Sequence, residues 1–457
     1  MIVARFFGLQ ETFIYDEVYS WVTANPNIPF STVWHDILLQ DVNLPLFNLV
    51  LRAWAYVVPF TEVWLRVLSL IFSLLTIGVA WIWAPRRWSG LKKFALCSLL
   101  AGSFGLTNYS DIVRSYSMGV FFTTIFSLFA LRILESFSFG EEVPRRWWIV
   151  FYSTGLIAAY THFFASGLFF ITCLFLFICA CIYKRARALV FWTTAFSFLL
   201  WIPWLYNTYS SMGHFSVGWW YETNKILSSW RIMEYCLGSE GVLLGLLLFL
   251  IVGFISILFH EKEIFKKCAD VCLPLFQIIV LIAVLLALSI RYNLFMDRYF
   301  LITLPSVFIL LAALWTHLYK RWIGVIVLLP LFLFCNTLYY FDHSLPRLTE
   351  YSGLTESFEY AQNALSAKKV LVLMDPMTYP GVSRWPIMRY FLPKGYPLEV
   401  IELTKENAGW VAGPEKVPLV IPLCSFYRLV MSSADYGFKL PDKLISFKQS
   451  CIVRHSK

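Results

Sequence analysis

Two adjacent carboxylates, Asp16 and Glu17, stand in Tyr15-Asp16-Glu17-Val18-Tyr19-Ser20, just ahead of a long series of apolar stretches. A carboxylate at a membrane face can take the proton from an attacking hydroxyl. Further chemistry-bearing residues recur where apolar stretches end. Asp41 precedes Asn43-Leu44-Pro45-Leu46, and Asp111, Arg114 and Tyr116 fall in Tyr109-Ser110-Asp111-Ile112-Val113-Arg114-Ser115-Tyr116. His162 lies in Tyr160-Thr161-His162-Phe163, while Arg298 and Tyr299 follow Asp297. The 207–240 stretch adds Glu222, Lys225, Arg231, Glu234 and Glu240, and Arg291 stands alone. Transfer from a lipid-borne phosphate needs such a set: an acid that accepts a proton, arginines that stabilise the leaving phosphate, and an apolar groove for the lipid tail.

Each residue also has a structural reading. Asp111 and Arg114 are three apart, which puts them on one face if the stretch is helical and makes a local ion pair of them. His162 at a span end suits a cap or a packed ring, and Arg298 can snorkel. Asp16 and Glu17, being adjacent, point in different directions, so the two alone make no metal pair. Glu17, Asp111 and His162 are the candidate ligands if a divalent ion is used. What favours chemistry is that acids and arginines converge on one membrane face.

The elements that must position them are membrane spans. The chain has 457 residues, 59% hydrophobic and only 14% charged, with mean hydropathy +0.67. A soluble domain is nearer a quarter charged. The 19 Trp and 42 Phe suit lipid-facing and interfacial surfaces. The net charge of +9 is no nucleic-acid footprint, because Lys and Arg cluster between apolar runs and form no stripe. Spans are expected at about 63–84, 94–109, 116–134, 147–162, 164–183, 188–206, 241–260, 271–290, 299–319 and 322–341. Residues 44–60, bounded by Pro45 and Pro59 and carrying Arg52, read as an interfacial helix. Met1 to Ile14 is too short and too polar to span and lacks a signal-peptide pattern. Residues 16–41 read as a polar loop with a turn at Asn25-Pro26-Asn27.

Basic clusters sit between alternate spans: Arg86-Arg87 with Lys92-Lys93, Arg145-Arg146, Lys184-Arg185, Lys266-Lys267 and Lys320-Arg321. Simple alternation puts them all on one side, which the positive-inside rule makes cytoplasmic. Asp16, Asp111, His162, Arg298 and everything after 341 are then expected outside. The expected fold class is an α-helical polytopic membrane protein with about ten transmembrane helices, an interfacial helix and a small C-terminal α/β domain on the outer face. Its units are a first outer loop over 1–62, a transmembrane domain over 63–341 and an extracytoplasmic domain over 342–457. In the last, 355–367 reads as helix, and 369–374, 398–403 and 417–423 read as strands. Cys173, Cys179 and Cys181 read as small buried hydrophobes. Cys424 and Cys451 can pair if their region is extracellular.

Taken in order, these stretches resemble the bacterial GT-C glycosyltransferases related to protein O-mannosyltransferases and aminoarabinose transferases, the glycosyltransferase family 39-like group. Tyr15 to Ser20 resembles the first-loop Asp-Glu signature, and Asp41 to Leu46 the Asp-x-His-Pro-Pro-Leu stretch. Glu62 to Ser69 resembles the entry into the next span. Tyr109 to Tyr116 is similar to Tyr-Ser-Gln-Glu-Ala-Arg-x-Tyr, Tyr160 to Phe164 to Tyr-Thr-His-Tyr-Phe, and Arg298-Tyr299 with Pro305 to the late Arg-Tyr motif. The likeness runs over most of 13–320. Asn43-Leu44 replaces the family's His-Pro, Asp111 stands where Glu is usual, and about fifteen residues precede the acidic pair where the family has a first span.

The resemblance implies an inverting transfer of a sugar from a polyprenyl-phosphate donor on the outer face of the cell membrane. The acceptor would be a lipid, glycan or protein. Asp16 takes the role of general base with Glu17 beside it in the catalytic pair. Asp41, Asp111, Arg114, Tyr116, His162, Arg298 and Tyr299 are implied to bind substrate, the arginines at the donor phosphate. A transporter or lipid flippase is the alternative reading, and a non-catalytic scaffold is a third. A transporter should place ionisable groups near mid-membrane and show two similar halves; no repeat is visible and the charges gather at one face.

Overall fold

A computed structural model describes residues 2–10, 15–41, 43–212, 269–288, 297–317 and 329–350, together with five strands between 370 and 453. The expected span at 241–260, the helix at 355–367, Arg291, most of the 207–240 stretch and Cys424 lie outside those residues. The helices are α1 (Tyr15–Ala24), α2 (Leu46–Ala55), α3 (Glu62–Ile82), α4 (Gly90–Gly102), α5 (Phe104–Asn108) and α6 (Tyr116–Phe139). After them come α7 (Arg145–Thr161), α8 (Phe163–Ile182), α9 (Arg187–Met212), α10 (Ala269–Leu288), α11 (Leu304–His317) and α12 (Leu329–Glu350). Among the described residues, five helices are long and apolar enough to cross a membrane: α3, α6, α8, α9 and α10. This is a multi-pass membrane protein. Local capping residues mark where these helices begin and end. Thr61 and Ser89 cap α3 and α4 with side-chain oxygens, Pro144 precedes α7, and α6 stops at Gly140, whose φ of 72° is the left-handed conformation glycine tolerates.

Two expectations change. The span expected at 94–109 is broken at Ser103, whose hydroxyl accepts from the Leu106 N–H to start α5. The Phe104 N–H freed by the break donates to Asn336 Oδ1 of α12 at 2.7 Å, so no backbone donor is stranded in an apolar surround. The 1–62 stretch is also no loop. Val3–Gln10 is a 3₁₀ helix, and Asp16 and Glu17 open α1. Val18 and Val22, four apart and both buried, give α1 the helical stripe that its polar composition hid. α2 is shorter than the 44–60 expected, and its Arg52 is buried. The guanidinium donates to Thr23 O, Asn25 O and Ile28 O, closing the turn after α1.

α6 is the central helix, buried along nearly its whole length. α9 lies at the margin, exposing Phe191, Trp192, Phe196 and Leu199, the surface expected against lipid. Cys173 and Cys179 are buried as expected, whereas Cys181 is exposed. One buried polar network crosses the middle. Gln277 Nε2 donates to Thr172 Oγ1 at 2.7 Å and Ser127 Oγ at 3.4 Å, and Ser306 Oγ donates to Gln277 Oε1 at 2.8 Å. It joins α6, α8, α10 and α11. Near the N-terminus, Arg5 is buried and donates to Ser73 O and Oγ and to Leu100 O. At one end of the bundle the basic connections meet: Arg87 pairs with Glu141, and Arg185 donates to Glu141 O. That contact joins the α3–α4, α6–α7 and α8–α9 turns.

The strands β1 (Val370–Met374), β2 (Leu398–Glu402), β3 (Leu419–Ile421), β4 (Leu444–Phe447) and β5 (Ser450–Val453) form one sheet in the order β2-β1-β3-β5-β4. β1 runs parallel to β2 and β3, and β5 is antiparallel to β3 and β4. The first three match the apolar runs read in sequence. The last two, separated by Lys448-Gln449, lack the Gly- or Asn-rich turn signal that marks a hairpin.

Replacing Gln277 by Leu should destabilise the bundle by about 1 kcal/mol, the scale of interhelical hydrogen bonds in membranes. Denaturant titration in detergent measures this. An unchanged midpoint would show that the network contributes nothing.

Candidate functional site

At the end of the bundle away from the basic turns, four pieces of chain meet: α1, the 109–115 segment leading into α6, the α7–α8 junction, and the short helix Asp297–Phe300. The first junction is ionic. Glu17, 0% exposed, takes Arg66 of α3 in a two-point contact, Nη2 to Oε2 at 2.7 Å and Nε to Oε1 at 3.2 Å. Its Oε1 also accepts the Val113 N–H at 2.9 Å. One carboxylate therefore joins α1, α3 and the 109–115 segment. This bond network also explains why residues 111–114 are a bend and no helix: Val113 N–H is drawn sideways to Glu17, and Arg114 N–H turns back to Ile112 O at 2.7 Å. The shared helical face expected for Asp111 and Arg114 is not formed; both are half-buried on the bend.

The second junction is aromatic. His162 is 7% exposed, between Tyr116 at 5.8 Å and Tyr299 at 5.6 Å between ring centroids. Tyr109 packs on Tyr116 at 5.3 Å, and Phe164 on Tyr299 at 5.4 Å. His162 ends α7 and caps α8, its Nδ1 accepting the Phe164 N–H at 3.2 Å. The proton of the neutral ring is therefore on Nε2, which is left as a donor. Burial, with the Arg114 and Arg298 charges added, pushes the imidazole down to about 3. Arg114 lies 5.5 Å over the Tyr19 ring of α1, and Arg298 5.8 Å over Tyr299.

The fold thus brings together Glu17, Arg114, Tyr116, His162, Arg298 and Tyr299, with Asp16 in the first turn of α1 beside Glu17. Asp41 stands apart in its contacts. Its Oδ1 accepts the Asn43 N–H and Nδ2 at 3.0 and 2.9 Å, and its buried Oδ2 has no partner among the described residues. The candidate metal ligands do not converge. Glu17 is committed to Arg66 and Val113, His162 Nδ1 to Phe164, and no group of three or more His, Cys, Asp or Glu side chains fit to hold an ion occurs among the described residues. With those bonds made, Glu17 and His162 do not fit a divalent ion. Sequence reading missed Arg66 as a site residue. Its signal was a cation one turn inside an apolar span, four residues after Glu62.

The fold has counterparts among solved structures. It is similar to the crystal structure of ArnT from Cupriavidus metallidurans in the apo state, with TM-score 0.57 and 11% identity over 99% of this chain and 95% of that one. The same ArnT bound to undecaprenyl phosphate gives TM-score 0.56 and 11% identity over 99% and 96%. At that identity the likeness is one of fold. No family model matches the chain, and no curated protein matches it.

Two outcomes test this geometry. Arg66→Met strands a buried carboxylate and should cost about 3 kcal/mol of stability, with much of it recovered in the Glu17→Gln, Arg66→Met double variant. Equal losses in single and double variants would remove the ion pair from the account. His162 titrates near 6.5 when unfolded and much lower when folded. The unfolded chain therefore takes the proton first, and stability falls as pH drops below about 6.5. His162→Asn, which keeps a capping oxygen, should flatten thermal stability between about pH 6.5 and 4; an unaltered slope would contradict a buried neutral ring.

Proposed function

We propose that this chain is a membrane glycosyltransferase that moves a sugar from a polyprenyl-phosphate-linked donor to a lipid, glycan or protein acceptor, with inversion. The observation that carries this reading is the cluster of His162 between Tyr116 and Tyr299, with Arg114 over Tyr19 and Arg298 over Tyr299, at the bundle end where α1 begins. The GT-C fold, shared with an ArnT that binds undecaprenyl phosphate, supports it.

The roles follow from charge. Asp16 accepts the proton of the acceptor hydroxyl as its oxygen attacks the anomeric carbon. The bond from that carbon to the phosphate oxygen breaks, and the phosphate leaves with added negative charge. Arg114 and Arg298 stabilise that charge. His162 offers a neutral N–H donor between them, with Tyr116 and Tyr299 walling the ring. Asp111 and Asp41 are assigned to the sugar hydroxyls, Asp41 with its second carboxylate oxygen unbonded among the described residues. The bonds from Arg66 and Val113 support a positioning role for Glu17, fixing the turn that bears Asp16. The basic turns are taken as cytoplasmic, which puts the site, and the sheet within 342–457, on the outer face. Residues 1–62 then supply the base and 63–341 the transmembrane bundle.

Asp16→Asn should lower sugar transfer at least about 100-fold in vesicles supplied with a polyprenyl-phosphate sugar, with expression unchanged. Retained transfer would remove Asp16 as the base, and lipid movement across the vesicle without transfer would favour a flippase. Arg114→Gln and Arg298→Gln should each weaken donor use while leaving the unfolding midpoint nearly unchanged.

A further inference from the structure

At the opposite end of the bundle, the α3–α4 turn, α4, α6 and the start of α10 enclose a cavity of about 170 Å³. That is many times the room one water needs. Nothing in the proposed transfer uses it. Its lining carries both signs of charge: Arg87, Lys92, Glu135 and Asp270, together with Ser138 and Trp88. Lys92 Nζ lies 2.5 Å from Asp270 Oδ2 in a largely buried pair, which consumes that cation. Arg87 meets Glu141 at 2.6 Å in a half-exposed pair that solvent screens. Its guanidinium has further donors to give. Glu135 accepts the Arg86 and Arg87 backbone N–H groups at 3.1 Å each, and among the described residues no ion pair neutralises it. The cavity therefore offers both a guanidinium and a carboxylate.

Its position says what would fill it. It opens where α3 and α6 end, beside the exposed side chains of Ile82 and Phe139, which are surfaces for acyl chains. We infer that this cavity binds the headgroup of a zwitterionic phospholipid carrying a primary ammonium, the phosphatidylethanolamine class. The phosphate meets Arg87, and the ammonium donates to Glu135 and the Ser138 hydroxyl. A choline headgroup has no N–H to donate. An anionic headgroup would bring negative charge against Glu135, with Lys92 already paired. The binding is independent of sugar transfer, and its test reads lipid occupancy alone.

The test uses the full chain, delipidated in detergent, with lipids of identical acyl chains. Native mass spectrometry and thermal shift should rank phosphatidylethanolamine above phosphatidylcholine and phosphatidylglycerol by about tenfold in apparent affinity, the worth of one charge-assisted hydrogen bond. Stepwise N-methylation of the headgroup should erode the preference without any change to the protein. Glu135→Gln, which keeps an acceptor for the backbone N–H groups, should abolish the ethanolamine-over-choline difference, and Arg87→Gln should weaken both. Equal binding across the methylated series, tighter binding of phosphatidylglycerol, or an undiminished preference in Glu135→Gln would overturn the assignment.

Discussion

The contact between Glu17 and Arg66 decides how the upper end of this molecule is arranged. A carboxylate and a guanidinium removed from water are costly unless each finds the other in good geometry. Here both carboxylate oxygens are engaged, one of them twice. Because Val113 N–H is the third partner, the pair fixes α1, α3 and the 109–115 bend with respect to one another. Arg114 follows Val113 directly, so the bend that satisfies Glu17 also delivers a cation to the Tyr19 ring and towards His162. Of the acidic pair, Glu17 is the carboxylate that holds this frame.

His162 shows how a structural and a chemical reading merge in one residue. Sequence alone offered a cap or a ligand. The ring is a cap, since Nδ1 takes the Phe164 N–H, and capping fixes which nitrogen keeps the proton. Burial, with the charges of Arg114 and Arg298 added, then holds the ring neutral.

Much of the helical layout was legible because apolar runs of span length bounded by Arg–Arg and Lys–Lys clusters leave few alternatives. α3, α6, α8 and α10 fall within a few residues of the expected ranges. α1 was not legible: Tyr15 to Ala24 is polar, and Val18 and Val22 become a stripe only once Glu17 is paired with Arg66 and Arg52 is hydrogen-bonded to backbone carbonyls after α1. The Ser103 break was hidden for a similar reason, since Asn336, more than two hundred residues away, receives the freed N–H. The 111–114 bend was hidden too, because helical spacing cannot reveal a backbone N–H claimed by a distant carboxylate. Local pattern located the spans; long-range polar bonds set the details at their ends.

The Gln277 network has a consequence for how the molecule meets its surroundings. Gln277, Thr172, Ser127 and Ser306 carry no net charge, so the electric field across a bilayer does no work on them and dissolved ions have nothing to screen. The basic end is held differently, by Arg87–Glu141 in contact with solvent. Raising ionic strength should loosen that rim while leaving the middle of the bundle locked. The molecule is thus stiff where it is dry and adjustable where it is wet, a gradient of compliance along the membrane normal.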